Sequence, residues 1–322
     1  MDHRSLVALF RRILVAGPPL LLGGWLHAGC ASNGCPVPDS TRTIAVSDVD
    51  AGSSDAGIDD LIARCQASSA DCKPLCEQLF PYSGQIKSCA LVTADGGLAI
   101  QVVQATPCGG RCPEGLAAPA SSGAQDPLGA WLATCAHMEA ASIDAFDILA
   151  TELDAHHAPP ALIDAARTAR RDERRHAIAM GRLAARRGAV PPAVSVSRSP
   201  VRDIEAVARE NAIEGCVRET YAALLACRQA SDAADPEIRA AMASIARDET
   251  RHAALGWAVD GWAGERLAPA ARRRVRAARH EAIERLVLAP VVTLPRGERA
   301  RAGLPDEDDA ARMAGALGER LV

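Results

Sequence analysis

Asp172-Glu173-Arg174-Arg175-His176 and Asp248-Glu249-Thr250-Arg251-His252 spell one string, Asp-Glu-x-Arg-His, twice in a chain of 322 residues. Each copy lies inside a long Ala-rich stretch with helical periodicity. Side chains three apart on a helix share a face, so each copy presents a carboxylate and an imidazole to the same point. A single Glu-x-x-His is weak, because charged helices with i,i+4 ion pairs and surface histidines produce it by chance. Two copies 76 residues apart, each with the same flanking Asp and Arg, are a repeat.

The repeat extends outward. A shift of 75 lays Glu139-Ala-Ala-Ser-Ile-Asp144-Ala-Phe146 on Glu214-Gly-Cys-Val-Arg-Glu219-Thr-Tyr221, and both segments read as amphipathic helix. Pro160 and Pro236 stand 76 apart and mark the starts of the two motif helices. The halves are therefore two helical hairpins, in which Glu139 and Glu214 are expected level with the motifs. One Glu from each of two helices, with Glu-x-x-His from each of the other two, is a six-ligand set for a pair of metal ions.

On these residues the chain resembles the ferritin-like superfamily, whose members include rubrerythrin, bacterioferritin and the di-iron monooxygenases and desaturases. The resemblance covers residues 126–262 and implies a mainly α fold, a four-helix bundle. By that resemblance Glu139, Glu173, His176, Glu214, Glu249 and His252 are the ligands of two iron ions, or of manganese, with either the motif glutamates or the lone ones as bridges. It also implies that Asp172 and Asp248 accept hydrogen bonds from the other nitrogens of the histidine rings, with Arg175 and Arg251 steadying the aspartates.

Charge leads the same way. Four glutamates gathered in a core lose hydration and repel one another, which raises their pKa values or opens the helices unless cations compensate. Oxygen and imidazole donors without thiolate favour iron or manganese. The expected work is redox reaction with O2 or peroxide, fed by an unidentified electron donor. The alternatives are a protein that binds or sequesters metal without turnover, and a bundle that serves as scaffold for a working cysteine-rich domain.

Near the chain start, Arg4, Arg11 and Arg12 precede an apolar run from Ile13 to Leu26 interrupted by Gly17, Pro18 and Pro19, and Ala28-Gly29-Cys30 follows. This layout predicts a signal peptide over 1–29 and, because Ala-Gly-Cys resembles a bacterial lipobox, a lipid on Cys30. Ordinary secretion is the runner-up. The run is short for a membrane span. The expected place is the periplasm, with outer-membrane attachment through the lipid.

Cysteine usage fits an oxidising compartment. Cys65, Cys72, Cys76, Cys89, Cys108 and Cys112 crowd a segment with too little apolar content for a core of its own, so two or three disulfides are expected among 15 possible pairings. A zinc or redox site built on Cys72-x3-Cys76 and Cys108-x3-Cys112 is the alternative. The domain plan is a flexible tether over 30–64, a small disulfide-stapled domain over 65–117, a linker over 118–125, the bundle over 126–262 and C-terminal helices over 263–322. Within the small domain, Gln85 to Val103 alternates as two strands around Asp95-Gly96-Gly97. Helices are expected over about Pro269–Val287 and Glu307–Leu321.

Several residues carry two readings. Cys135, one turn before Glu139, is a core hydrophobe or a thiol near the metals. Glu210 guides cations inward or pairs with an arginine. Tyr221 relays electrons or packs in the core. The chain has net charge −4, and Arg272-Arg273-Arg274 is interleaved with Ala and Glu, so no nucleic-acid partner is expected. With 48% hydrophobic and only 3% aromatic residues, Ala, Leu, Ile and Val must fill the core. A homodimer is compatible with the resemblance; a storage cage is not expected of a tethered chain.

Overall fold

The computed structural model describes residues 1–15, 39–46, 56–68, 72–79, 86–94, 97–105, 111–117, 126–287 and 294–321. It is mainly helical and divides into two units. The helical unit comprises Met1–Pro36, Cys108–Val287 and Leu294–Val322, and the small unit comprises Val37–Pro107 with Leu288–Thr293.

In the helical unit, α1 spans His3–Val15 and the long helices begin with α4, Pro127–Ala155. Asp126 caps α4, accepting from the Gly129 N–H at 3.1 Å, with Pro127 in the first turn where its missing N–H costs nothing. A short turn follows, with His157 in the left-handed region at φ 54°. Pro160 then opens α5, Pro160–Ala185, as the proline pattern predicts. The second arm is interrupted: α6, Ile204–Asn211, runs into a π-helical turn at Ala212–Arg218, then into α7, Glu219–Asp232. Asp235 caps α8, Pro236–Arg266, by accepting from the N–H groups of Glu237 and Ile238.

The α4 helix packs along α5, α7 packs along α8, and α5 packs on α8. Ile163, Ala166, Ala169, Glu173, His176, Met180 and Ala184 are the buried positions of α5 that repeat at helical spacing, so the motif residues sit on the same face that builds the core. Phe146, Leu149, Leu153, Val207, Leu255, Val259 and Trp262 fill the space beside them, with many alanines allowing close approach. The C-terminal helices are α9 at Pro269–Val287, α10 at Arg296–Ala302 and α11 at Glu307–Leu321. α9 lies against the π-turn and α6 and packs with α11, while α10 touches α4, α7 and α8.

Residues expected to belong to a signal peptide form α1, which packs on α7, α8 and α11. Leu6, Phe10 and Ile13 are buried against Leu224, Ala253, Ile283, Met313 and Leu317. Arg312 donates to the Ile13 carbonyl at 2.8 Å. Cys30 and its surroundings lie outside the described residues. Among the described residues no helix is long and apolar enough to cross a membrane.

The small unit begins earlier than the cysteine pattern indicates. Asp39–Ala45, inside the expected tether, is strand β1, and Ala56–Ala67 is helix α2. They join α3, Lys73–Leu79, and the hairpin of β2, Ile86–Ala94, and β3, Gly97–Ala105. The sheet is antiparallel in the order β1-β3-β2. Cys65 bonds Cys72 and Cys76 bonds Cys89, and these sulfurs pack with Leu75 and Ile100. Cys112 is also disulfide-bonded, while Cys108 lies outside the described residues, as does the linker expected at 118–125. Residues 111–117 belong to the helical unit.

Candidate metal centre

Among the described residues, two groups of side chains could hold metal ions: Glu139, Glu173, His176 and Glu249 in one, Glu219, Glu249 and His252 in the other. His176 turns Nδ1 inward, 3.4 Å from Glu139 Oε2, 3.2 Å from Glu249 Oε1 and 3.7 Å from Glu173 Oε2. His252 Nδ1 lies 3.0 Å from Glu173 Oε1, 3.5 Å from Glu249 Oε1 and 3.8 Å from Glu219 Oε2. Glu173 and Glu249 thus approach both imidazoles. Glu139 stands at one end and Glu219 at the other.

The opposite edges of the rings are fixed by aspartates, and the pairing crosses between motifs. His176 Nε2 meets Asp248 Oδ2 at 3.1 Å, and His252 Nε2 meets Asp172 Oδ2 at 3.3 Å. Arg175 donates to Asp172 at 2.6 Å and to Asp248 at 3.1 Å. Arg251 donates to Asp248 at 2.5 Å and to Asp172 at 3.1 Å. An aspartate that accepts from Nε2–H leaves the Nδ1 lone pair aimed at the carboxylates. The Phe146 ring, 5.0 Å from that of His252, closes one side.

Despite these approaches the inner atoms lack hydrogen-bond partners. Glu139 Oε2, both oxygens of Glu173, Glu219 and Glu249, and Nδ1 of His176 and His252 are all buried and unsatisfied. Buried polar groups are ordinarily paired, because leaving one unmade costs about 1–3 kcal/mol, more when charged. Nine such atoms face one another in the two groups that could hold cations.

Electrostatics express the same need. Burial, joined by the neighbouring glutamates, holds Glu139 and Glu219 well above the usual carboxylate range. Burial also acts to raise Glu249, but the adjoining charge on His252 and the contact with His176 outweigh it. Glu173 is likewise lowered, because both histidines override burial and the Glu249 charge. The imidazoles are raised, against the desolvation that opposes their charge, by the surrounding carboxylates. Two divalent cations would offset the charge of the four carboxylates Glu139, Glu173, Glu219 and Glu249.

Glu214, expected as the sixth ligand, stands outside this cluster. Its Oε2 accepts the Cys112 N–H at 3.0 Å, and Arg218 lies 3.0 Å from Oε1. The π-turn is the reason. The Glu219 N–H bonds back to the Glu214 carbonyl, five residues earlier, so the helix gains a residue and every later side chain is rotated about the axis. A uniform shift between the repeats ignores that insertion. Leg length held the signal: Glu249 lies thirteen residues after Pro236, and Glu219 thirteen before Asp232, which sets the two level across the turn.

Of the other two-sided residues, Glu210 and Tyr221 make structural contacts. Glu210 pairs with the buried Arg111, and Cys216 reaches the Gly256 carbonyl at 3.5 Å. Tyr221 and Cys227 pack with the α1 cluster, and burial pushes the Tyr221 phenol up to about 12. Cys135 is buried and takes part in no disulfide. Phe146, at the end of the first repeat segment, and Arg111, which no motif signalled, are neighbours of the site.

Comparison with protein-family models, curated proteins and solved structures finds no match to this chain.

Proposed function

We propose that this protein is a ferritin-like, dinuclear metal protein, with two iron ions, or manganese in their place, held by Glu139, Glu173, His176, Glu219, Glu249 and His252. The observation that carries the reading is the set of nine buried, unpartnered donor atoms facing one another. Glu173 and Glu249, which approach both imidazoles, would be shared between the two ions, with one histidine and one end glutamate, Glu139 or Glu219, for each. Iron held by these residues would supply redox chemistry toward O2 or hydrogen peroxide, which is the function the donor set supports best.

The chain's own part is to fix and shield. Asp172 and Asp248 hold the imidazole tautomers, and Arg175 and Arg251 keep those aspartates ionised: hydrogen bonds from the histidine and arginine lower Asp172 and Asp248 against burial. Glu173 and Glu219 are fully enclosed, whereas the Glu139 side chain retains 13% exposure, so the Glu139 end is the less shielded one. That near-complete enclosure also favours a second reading, metal retention without turnover.

Titration with ferrous ion under argon, followed by O2 or peroxide, separates the two. Two equivalents bound and then rapidly oxidised, with loss of peroxide, support the oxidoreductase. Two equivalents that keep their redox state support the binder. Wild-type protein that takes up no iron, or a Glu173→Ala, Glu249→Ala double variant that still binds two, removes both.

We further propose an oxidising location. The Cys65–Cys72 and Cys76–Cys89 bonds support it, since such links persist outside the reducing cytosol.

A further inference from the structure

Glu219 is in place because of a helix defect, and the defect is held by a segment from elsewhere in the chain. Residues 111–117 cross the helical unit as a strap. At one end the strap pairs with the loop after α5: Ala117 donates to Ser195 at 2.8 Å, and Ser197 donates to Gly115 at 2.9 Å. At the other end Arg111 enters the core and is 1% exposed.

Every polar part of Arg111 that faces the helices is used. Its guanidinium donates to both oxygens of Glu210, at 3.1 and 2.6 Å, and to Asn211 Oδ1 at 3.3 Å. These residues end α6, immediately before the π-turn. Its carbonyl accepts from Ser142 Oγ on α4 at 2.9 Å. The next N–H, of Cys112, donates to Glu214 inside the turn. Asn211 in turn donates to the Gly256 carbonyl, four residues past His252, at 2.8 Å. The guanidinium also lies 5.8 Å from the Phe146 ring centroid, the ring that packs on His252.

We propose that Arg111 is a positioning residue of the centre: the strap holds the entry and the first residues of the π-turn, keeps Glu214 occupied by the Cys112 N–H, and so delivers Glu219 to the His252 side. This inference rests on the dinuclear reading. A guanidinium paired with a carboxylate in a planar, two-bond fork fixes direction as well as distance, which a single charge does not. On the Glu139 and His176 side the glutamate comes from the uninterrupted α4.

The inference predicts an asymmetric defect. Cobalt titration, followed by visible absorption, is expected to show two equivalents bound by wild-type protein. Arg111→Met should keep the first equivalent within twofold and weaken the second by roughly 10–100-fold, the range found for groups that orient metal ligands. Arg111→Lys should stay close to Arg111→Met, since it cannot form the fork. Glu210→Gln, which preserves volume, should weaken the second equivalent in the same direction and covers the case of Arg111→Met failing to fold. A merely structural role would lower the melting temperature and leave stoichiometry and spectrum unchanged. Two equivalents bound within twofold of wild type by folded variants would overturn the proposal, as would equal weakening of both. Wild-type protein that binds no cobalt removes the dinuclear reading and this inference with it.

Discussion

The two arms of the helical unit reach one cluster by different routes. In the first, α4 is regular from Pro127 to Ala155, and Glu139 projects from its middle. In the second, α6, the π-turn and α7 replace that single helix, and the corresponding carboxylate comes from the residue just after the turn. The motif helices α5 and α8, by contrast, match residue for residue at Glu, His, Asp and Arg. The two halves are alike where four side chains interlock across α5 and α8, and differ where a single carboxylate has to arrive. The pairing across motifs ties the two strings together: each aspartate meets the other arm's histidine, so each string needs the other for its hydrogen bonds.

The sharpest way to break this comparison is an isosteric pair. Glu219→Gln should weaken the second metal equivalent at least about tenfold while leaving the first in place. Glu214→Gln should retain both equivalents, since its amide oxygen still accepts the Cys112 N–H. Metal content by elemental analysis, with titration of each variant, checks both. The opposite pattern would mean that the repeat alignment, and not the π-turn, identifies the ligand.

Much of the first arm was legible because it obeys a single period. Pro160 and Pro236 open the helices they were expected to open, and the alternation around Gly96 marks β2 and β3. Glu139, Glu173, His176, Glu249 and His252 fall into the two groups. The second arm was less legible, since a helix that gains one residue keeps its composition and amphipathic pattern while its register turns. Strand β1 was hidden for another reason: Asp39–Ala45 is polar and reads as tether, and only pairing with β3 makes it a strand. At the chain start, Leu6, Leu9, Phe10 and Ile13 follow the i, i+3, i+4, i+7 spacing of a helix face, and Arg4, Arg11 and Arg12 are exposed. That pattern and the charged opening of an export signal share the same residues.

The second arm is also the buttressed one, since α1, α9 and α11 gather on its side. Phe10 is 2% exposed in that cluster. In protein that carries residues 1–15, Phe10→Ala should therefore cost about 3–5 kcal/mol, the usual loss for a buried aromatic ring. Denaturant unfolding measures it, and the mass of the purified chain shows whether the helix is present. A chain processed at Cys30 would lack α1 and be indifferent to the substitution. An intact chain equally indifferent would mean that α1 does not pack as described.

Two glycines give the finest comparison. Gly181 follows His176 by five residues and Gly256 follows His252 by four, each on its motif helix. A Cβ at Gly181 would meet only Pro191 Cγ, at 3.8 Å, an ordinary contact. A Cβ at Gly256 would meet Gly215 Cα at 2.8 Å and its carbonyl closer still. Gly215 belongs to the π-turn, so here two backbones touch directly, and the contact needs both residues to lack a side chain. Gly181→Ala is then expected to stabilise by about 0.5–1 kcal/mol, through the better helix propensity of alanine. Gly256→Ala is expected to destabilise by about 1–3 kcal/mol, as overpacking does, because neither backbone can yield without moving the turn. Urea unfolding of the two single variants reads both signs in one experiment. The metal equivalents of Gly256→Ala add a further check: if the turn is what carries Glu219, the second equivalent weakens along with the fold, whereas Gly181→Ala leaves both equivalents as they were.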